Sequence, residues 1–255
     1  MFNNPSFIQF SHFHPSIAKH CFTTRHGGAS HGYFASMNMC YNRGDADNNV
    51  QQNYNIVCNF LGVNSARLAF TKQVHGSEIR VVSHTDFIDG YTVHPCDAIM
   101  TNFPNITLVS FYADCVPLFF LDPIKKAAAL AHAGWRGTLL DIGAKTAARM
   151  VEEYNCNPAN ILVGIGPSIG KCCFEVGEDV ALEFRDKHSE VITDLGNGKF
   201  LIDLWSVNRK IIGMIIPPQN IEISGICTKC NHNDFFSHRY MGEERGSMAS
   251  FICLT

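Results

Sequence analysis

The sequence predicts an α+β fold: one compact domain over residues 1–255, with mixed β-sheets flanked by helices. Three observations predict it. Strand-like segments at 106–112, 116–121 and 127–132 follow one another with only turns between them. Helical patterns at 49–61, 138–154, 178–188 and 203–213 fall at irregular intervals, not in a strict strand–helix alternation. No low-complexity linker or internal repeat divides the chain. With 255 residues, 46% hydrophobic and 17% charged, there is ample apolar material for a buried core.

Taken in order, 42–49 (NRGDADNN) is a loop by its Asn, Gly and Asp content. Val50, Tyr54, Val57 and Leu61 then repeat on one helical face, and Gly62 is the stop. The segments ITLVSFY (106–112) and VPLFFL (116–121) are rich in β-branched and aromatic residues and read as strands. Asp122-Pro123 turns the chain, AAALAH (127–132) returns as a strand, and AGWRG reads as a glycine-punctuated turn. A helix is expected from Thr138 to Tyr154, a buried strand at 161–165, and a helix from Glu178 to His188. Asp203 caps a further helix ending near Gly213, before Pro217-Pro218. IEISGI (221–226) and MASFICL (248–254) are late strands.

The formal net charge of -3 comes from interspersed charges, which offers no footprint for nucleic acid or an anionic membrane. The opening segment MFNNPSFIQFSHFHPS lacks a basic region followed by an apolar one and does not read as a signal peptide. Apolar runs such as Ile211 to Ile216 are too short to span a bilayer. Eleven cysteines, an odd number without an export signal, read as reduced thiols of a cytoplasmic protein, most of them small buried residues.

Candidate chemistry lies in Lys72-Gln73-Val74-His75-Gly76, Ala113-Asp114-Cys115 and AHAGWRG at 131–137. His75, Cys115 and His132 each sit at the edge of an expected strand beside a small residue or turn. A thiolate and two imidazoles suit zinc with one coordination position open, although spacing alone identifies no local metal motif. Packing for the cysteine and simple hydrogen bonding for the histidines remain the alternative. Glycines next to Arg136, leading into a helix, suit a phosphate; a tight turn with Arg136 in a surface ion pair is the alternative. Arg25 and His26, before Gly27-Gly28, offer a second basic, flexible segment suited to phosphate or ribose; a loop whose glycines supply positive φ is the equal alternative.

Two further motifs read as silent. GIGPSIG (164–170) spaces its glycines one residue too widely for a dinucleotide fingerprint, and Pro167 interrupts the helix entry. The adjacent Cys172 and Cys173, taken as strand residues, would point to opposite faces, so at most one would face a site. Cys227, Cys230 and His232, with His238 nearby, resemble half of a zinc site, but no second CxxC completes it. A fortuitous cluster is the expectation.

With these residues in view, the sequence resembles the laccase-domain, YfiH-type purine nucleoside phosphorylases. The matching segments are TTRHGG (23–28), Asn38, Gly44-Asp45, KQVHG (72–76), DAIMT (97–101), ADCVP (113–117), AHAGWRG (131–137), GPSIGKCCFEVG (166–177), and CT and FFSHR within 227–239. The resemblance covers nearly the whole chain in order. It implies a compact α+β domain, zinc held by His75, Cys115 and His132, and phosphorolysis of adenosine, inosine, guanosine and methylthioadenosine, with adenosine deamination as a second reaction. The candidate substrate or phosphate contacts are Arg136, Arg25, His26, Asn38, Gln73 and Arg239. For proton transfer Asp114 is the carboxylate nearest in sequence; because adjacent strand residues face opposite ways, a structural role is its alternative. Purine nucleosides and inorganic phosphate are then the partners. A monomer is expected, with a weak dimer as the alternative. One region departs from the family, which tends to carry two arginines after FFSY and then a Gly-Arg pair. Here Tyr240 takes the second arginine's place, and the pair is reversed as Arg245-Gly246.

Rival readings use the same residues. The family was earlier described as a copper polyphenol oxidase, and Cys-His-His ligands also suit copper; a multicopper centre draws on HxH pairs, of which His12-Phe13-His14 is the single example. Cys115 as nucleophile with His132 as base suits a cysteine hydrolase, and some family members are named for peptidoglycan editing. A non-catalytic binding module is a third reading. The cytidine-deaminase type lacks its HxE and PCxxC signature.

Overall fold

Alternation along two neighbouring strands decides the architecture. In Val116–Asp122, Leu118 and Phe120 join one hydrophobic cluster and Phe119 and Leu121 another, all fully buried. In Ala127–Ala133, Ala127, Ala129, Ala131 and Ala133 belong to the first cluster, Ala128 and Leu130 to the second. Strands covered on both faces need no polar side, so both segments read as unbroken apolar runs. The computed structural model describes residues 5–87 and 90–255; the first four residues of the opening segment read above, and residues 88–89, lie outside these.

Two six-stranded mixed sheets stack face to face. The first runs in the order Phe7–Ile8, Ala18–Thr23, Met248–Leu254, Thr107–Tyr112, Leu68–Thr71, Thr92–His94. The second runs Ile221–Ile223, Leu162–Ile165, Val116–Asp122, Ala127–Ala133, Ala98–Thr101, Ile79–Val81. Both mix parallel and antiparallel pairs. Phe22, Leu108 and Ile252 of the first sheet meet Ile99, Phe119 and Leu130 of the second in the central core. Helix α1 (Asp47–Leu61) covers the outer face of the first sheet with Val50, Tyr54 and Val57, and ends at Gly62 in the left-handed region, φ 62°. On the outer face of the second sheet lie α3 (Ile142–Tyr154), α4 (Glu178–His188) and α5 (Leu204–Ile212), which follow the short α2 (Trp135–Leu139). A small three-stranded sheet, Glu175–Gly177, Lys199–Ile202 and Ile192–Gly196, abuts α4.

The expected helices at 178–188 and after the Asp203 cap match α4 and α5, and the Asp203 carboxylate accepts the Ser206 amide. The AGWRG turn needs correction. Helical backbone begins at Trp135, directly after extended Gly134, and the left-handed Asp141 (φ 59°) separates α2 from α3. Among the described residues no helix is long and apolar enough to cross a membrane, and all eleven cysteines are free thiols.

The first sheet also holds a pH-sensitive contact. His20, 3% exposed, accepts the Phe10 amide at Nε2 (2.8 Å), so that nitrogen must be unprotonated. Burial, with the positive charge of His12, lowers its pKa to about 4. The unfolded chain regains the proton near pH 6.5 and the folded chain only near 4. Stability is therefore undiminished above 6.5 and lost as pH falls through that window, by about 3 kcal/mol. Thermal midpoints taken across pH 4–7 are expected to fall more steeply for the native chain than for a His20→Gln variant; parallel curves would refute the assignment.

Candidate metal centre

The chain passes from the first sheet to the second three times at one end of the sandwich, and each crossing carries a side chain of the site. His75 lies between Leu68–Thr71 and Ile79–Val81, Asp97 between Thr92–His94 and Ala98–Thr101, and Cys115 between Tyr112 and Val116. His132 joins them from the second sheet, in Ala127–Ala133, paired with Pro117. The Cys115 sulfur and one ring nitrogen each of His75 and His132 all lie within 4.8 Å of one another. The two imidazoles meet edge to face, 5.1 Å between centroids.

Two crossings are held in costly backbone conformations. His75 (φ 59°) and Asp114 (φ 84°) occupy the left-handed region, at a cost of about 1–3 kcal/mol each. Asp97 offsets the first. Its buried carboxylate accepts three amides of the His75 loop, His75 at 3.0 Å through Oδ1 and Val74 at 3.2 Å and Gly76 at 2.8 Å through Oδ2. Oδ1 also accepts Nδ1–H of His132 at 2.9 Å. Burial alone would raise the Asp97 pKa, yet His132 and the loop amides hold it below the usual carboxylate value. A carboxylate on Nδ1 fixes the imidazole tautomer and leaves Nε2 as the lone-pair donor. No role for Asp97 was legible beforehand. The signal was there, since DAIMT was one of the matching segments, but carboxylate-to-histidine contacts need three dimensions.

Cys115 and His132 form a polarised pair. Burial raises the thiol, but the His132 charge and hydrogen bonds from both histidines outweigh it and bring the pKa to about 6. Burial lowers His132, but the Cys115 thiolate and Asp97 raise it to about 9. A thiolate ready to donate is what a metal ligand requires, and a thiolate–imidazolium pair is also the resting state of a cysteine nucleophile.

The remaining expected residues separate into framework and rim. Asn38 is fully buried: its Nδ2 donates to the Cys40 carbonyl and Asp45, and its Oδ1 accepts the Cys40 and Ser247 amides. The Gln73 amide donates to Ser110 Oγ and the Phe111 carbonyl. Arg25 donates to the carbonyls of Ala35 and His232 and lies over the Phe236 ring, and His26 contacts Asp234 at 2.8 Å. Asp114 accepts Thr228 Oγ1 at 2.6 Å, Ser237 Oγ at 3.0 Å and the Arg239 amide at 2.7 Å, which anchors the last third of the chain to the Cys115 crossing. Arg136 is exposed, its guanidinium 4.3 Å above the Trp135 ring. Arg239 donates to the carbonyls of Cys173 and Glu175. Tyr240, in the place of the family's second arginine, stacks on His232 at 3.6 Å. Arg245, also unassigned beforehand, is half-buried and close enough to Asp114 and Cys115 to feel their charge.

A cleft of about 150 Å³ opens beside Cys115, with Asp114, Cys115, Gly134, Trp135, Phe174 and Arg239 among its walls; His75 and His132 adjoin Cys115 and Gly134 and do not line it. A larger depression along α5, about 330 Å³, is lined by Ser206, Arg209, Lys210, Gly213 and Pro218, with no histidine, cysteine or carboxylate among them. The donor set fits zinc in chemistry and in room. A Cβ on Gly134 would lie 3.3 Å from the Cys115 sulfur, 3.4 Å from His75 Cδ2 and 3.7 Å from His132 Cε1. The missing side chain keeps open the space the three ligands share.

One expectation is overturned outright. Residues 171–173 form a turn, not a strand, so Cys172 and Cys173 do not point apart. Their sulfurs and those of Cys227 and Cys230 all lie within 4.8 Å of one another, so the CxxC is completed by the vicinal pair, not by His232 or His238.

A family model described as multi-copper polyphenol oxidoreductase laccase matches residues 19–255. The chain is 35% identical over 249 residues to mouse (Mus musculus) purine nucleoside phosphorylase LACC1, covering 94% of this chain and 56% of that one, so it spans little more than half that relative's length. It is 33% identical over 242 residues to purine nucleoside phosphorylase YlmD of Bacillus subtilis (91% and 86% covered). It is 31% identical over 238 residues to adenosine deaminase RL5 from an unknown prokaryotic organism (88% and 89% covered). Among solved structures, the Bacillus licheniformis hypothetical protein YfiH superposes with a TM-score of 0.88 at 32% identity, covering 95% of this chain and 98% of that one. The α+β fold with mixed sheets is thus shared.

Proposed function

Because the chain belongs to the multi-copper polyphenol oxidoreductase laccase family, we propose that it is a zinc-dependent purine nucleoside phosphorylase with adenosine deaminase activity, working as one catalytic unit in the cytoplasm. The observation that carries this reading is the convergence of His75, Cys115 and His132, with Cys115 lining an open cleft and Asp97 orienting His132. The purine nucleoside phosphorylase and adenosine deaminase names of its relatives support the reaction class.

In phosphorolysis a phosphate oxygen attacks C1′ of the ribose. The C1′–N9 bond breaks with its electron pair going to the base, which takes up a proton, and ribose 1-phosphate forms. In deamination water adds at C6 of adenosine and ammonia departs, leaving inosine. Zinc, when bound by the three ligands, supplies Lewis acidity toward an oxygen nucleophile. The protein supplies the rest. Asp97 holds the His132 tautomer and the His75 loop. Trp135 and Phe174 offer aromatic faces for a purine ring. Arg239 and Arg245, with Arg136 beyond the cleft wall, give a cationic rim for phosphate. Arg25, Asn38 and Gln73 act by holding loops. With both carboxylate oxygens hydrogen-bonded, Asp114 positions Cys115 and the Arg239 segment, and a proton-shuttle role falls outside this proposal.

The copper oxidase reading draws its support from the family's descriptive name. His12 and His14, the HxH pair, join neither group of side chains able to hold a metal among the described residues. The test is direct. Purified protein incubated with adenosine is expected to yield adenine when phosphate is present and inosine without it, resolved by chromatography. Neither product, with oxidation of a phenolic substrate instead, would overturn the proposal.

A further inference from the structure

The four-cysteine cluster lies outside the chemistry described so far. Gly170 and Cys173 are tied in a turn (the Cys173 amide donates to the Gly170 carbonyl, 2.9 Å), and the Asn231 amide donates to the Cys227 carbonyl, 3.0 Å, closing the Cys227–Cys230 loop. Ser168 and Cys227 pair as an isolated parallel bridge. Two remote segments are thus fixed side by side by backbone contacts, and each presents two sulfurs. Cys230 Sγ lies 3.5 Å from Cys172 Sγ and 3.4 Å from Cys173 Sγ. The Gly170 amide donates to Cys227 Sγ at 3.3 Å.

We propose that Cys172, Cys173, Cys227 and Cys230 form a second, structural zinc site, closed by four thiolates. Tetrahedral zinc with sulfur arms of about 2.3 Å places its sulfurs roughly 3.8 Å apart; the Cys230 sulfur lies 3.5 and 3.4 Å from two of its neighbours, and all four fall within 4.8 Å of one another. A disulfide would pair two sulfurs at about 2.05 Å and leave the other two unused. The set is all sulfur, as closed structural zinc sites often are, whereas His75, Cys115 and His132 leave a position open. An amide donating to a ligand sulfur is the contact expected around a bound thiolate. A Cβ at position 170 would lie 3.0 Å from the Trp205 ring, 3.3 Å from Cys227 Cβ and 3.4 Å from the Cys172 sulfur, so the glycine lets both the indole and the cysteines close in. Three of the four cysteines are exposed or half-exposed, so an ion can enter and displaced thiol protons can leave to solvent.

The site would brace the catalytic cleft without taking part in it. Phe174, a cleft wall, directly follows the vicinal pair, and Arg239 donates to the carbonyl of Cys173 itself. The inference does not depend on the proposed function, and one variant separates them. Full-length protein purified with zinc is expected to carry two ions per chain by elemental analysis. Cys115→Ala should retain one, and Cys227→Ser/Cys230→Ser should also retain one. Cobalt titrated into Cys115→Ala after chelation should give the intense thiolate-to-cobalt absorption of a four-sulfur tetrahedral complex at one equivalent. That measurement decides the matter even if the double variant fails to fold. Zinc lost entirely with Cys115→Ala, no such cobalt absorption, or a disulfide among the four cysteines in protein kept under reductant would overturn the proposal.

Discussion

Replacing Cys115 by alanine is expected to remove the ion from the three-ligand site and to abolish both phosphorolysis and deamination in a protein that still folds. The residue is half-buried and small, and its loss removes one sulfur from a cleft wall, at a stability cost of about 1 kcal/mol relative to the ion-free native chain. The functional cost is far larger. Two imidazoles alone make a poor site, and the Lewis acidity lost with the ion is worth several kcal/mol, about a thousandfold or more in rate. Elemental analysis, a thermal melt and product chromatography on the same preparation separate these outcomes. A folded variant that retains its full ion content and turns over adenosine at the native rate would remove the basis of the proposed function. Wild-type turnover by metal-free native protein, blocked by thiol alkylation, would instead favour the hydrolase reading.

Asp97→Asn is expected to weaken both the ion site and the fold. The carboxylate accepts four N–H groups, two on each oxygen. An asparagine has one oxygen and must turn its NH₂ toward one pair. Turned toward His132, it forces the proton from Nδ1 to Nε2 and blocks the lone pair aimed at the ion. Turned toward the loop, it leaves the Val74 and Gly76 amides without an acceptor beside a residue already in the left-handed region. Either way, zinc affinity should drop about 10–100-fold, with a stability loss of about 2–4 kcal/mol from the disrupted buried charge and its donors. Competition with a chromophoric chelator and thermal melts measure the two effects. Unchanged zinc affinity in Asp97→Asn would show that His132 does not depend on this carboxylate.

Much of the fold was legible because its signals are local. Val50, Tyr54, Val57 and Leu61 give α1 its face, Asp203 gives α5 its cap, and the apolar runs at 116–121 and 127–132 are the central strands of the second sheet. The strands Leu68–Thr71, Ala98–Thr101 and Lys199–Ile202 are four residues each, so none announces itself by length. The three side chains that converge at the candidate metal centre were named from residue type and strand ends. Their orienting carboxylate was not, because Asp97 acts through contacts 35 residues away in sequence. The vicinal cysteines were misjudged for a local reason: the period-two rule holds only in extended chain, and 171–173 turn.

Three sheet-to-sheet crossings at a single end of the sandwich carry a consequence for assembly. His75, Asp97 and Cys115 belong to no contiguous peptide and approach His132 only after the two leaves have docked. Such long-range closure is slow and comes late in folding. A nascent or half-folded chain therefore does not present this three-side-chain set, and an ion held by all three would record that docking is complete. An ion bound there would rivet one leaf to the other at the end where the chain itself already stitches them three times.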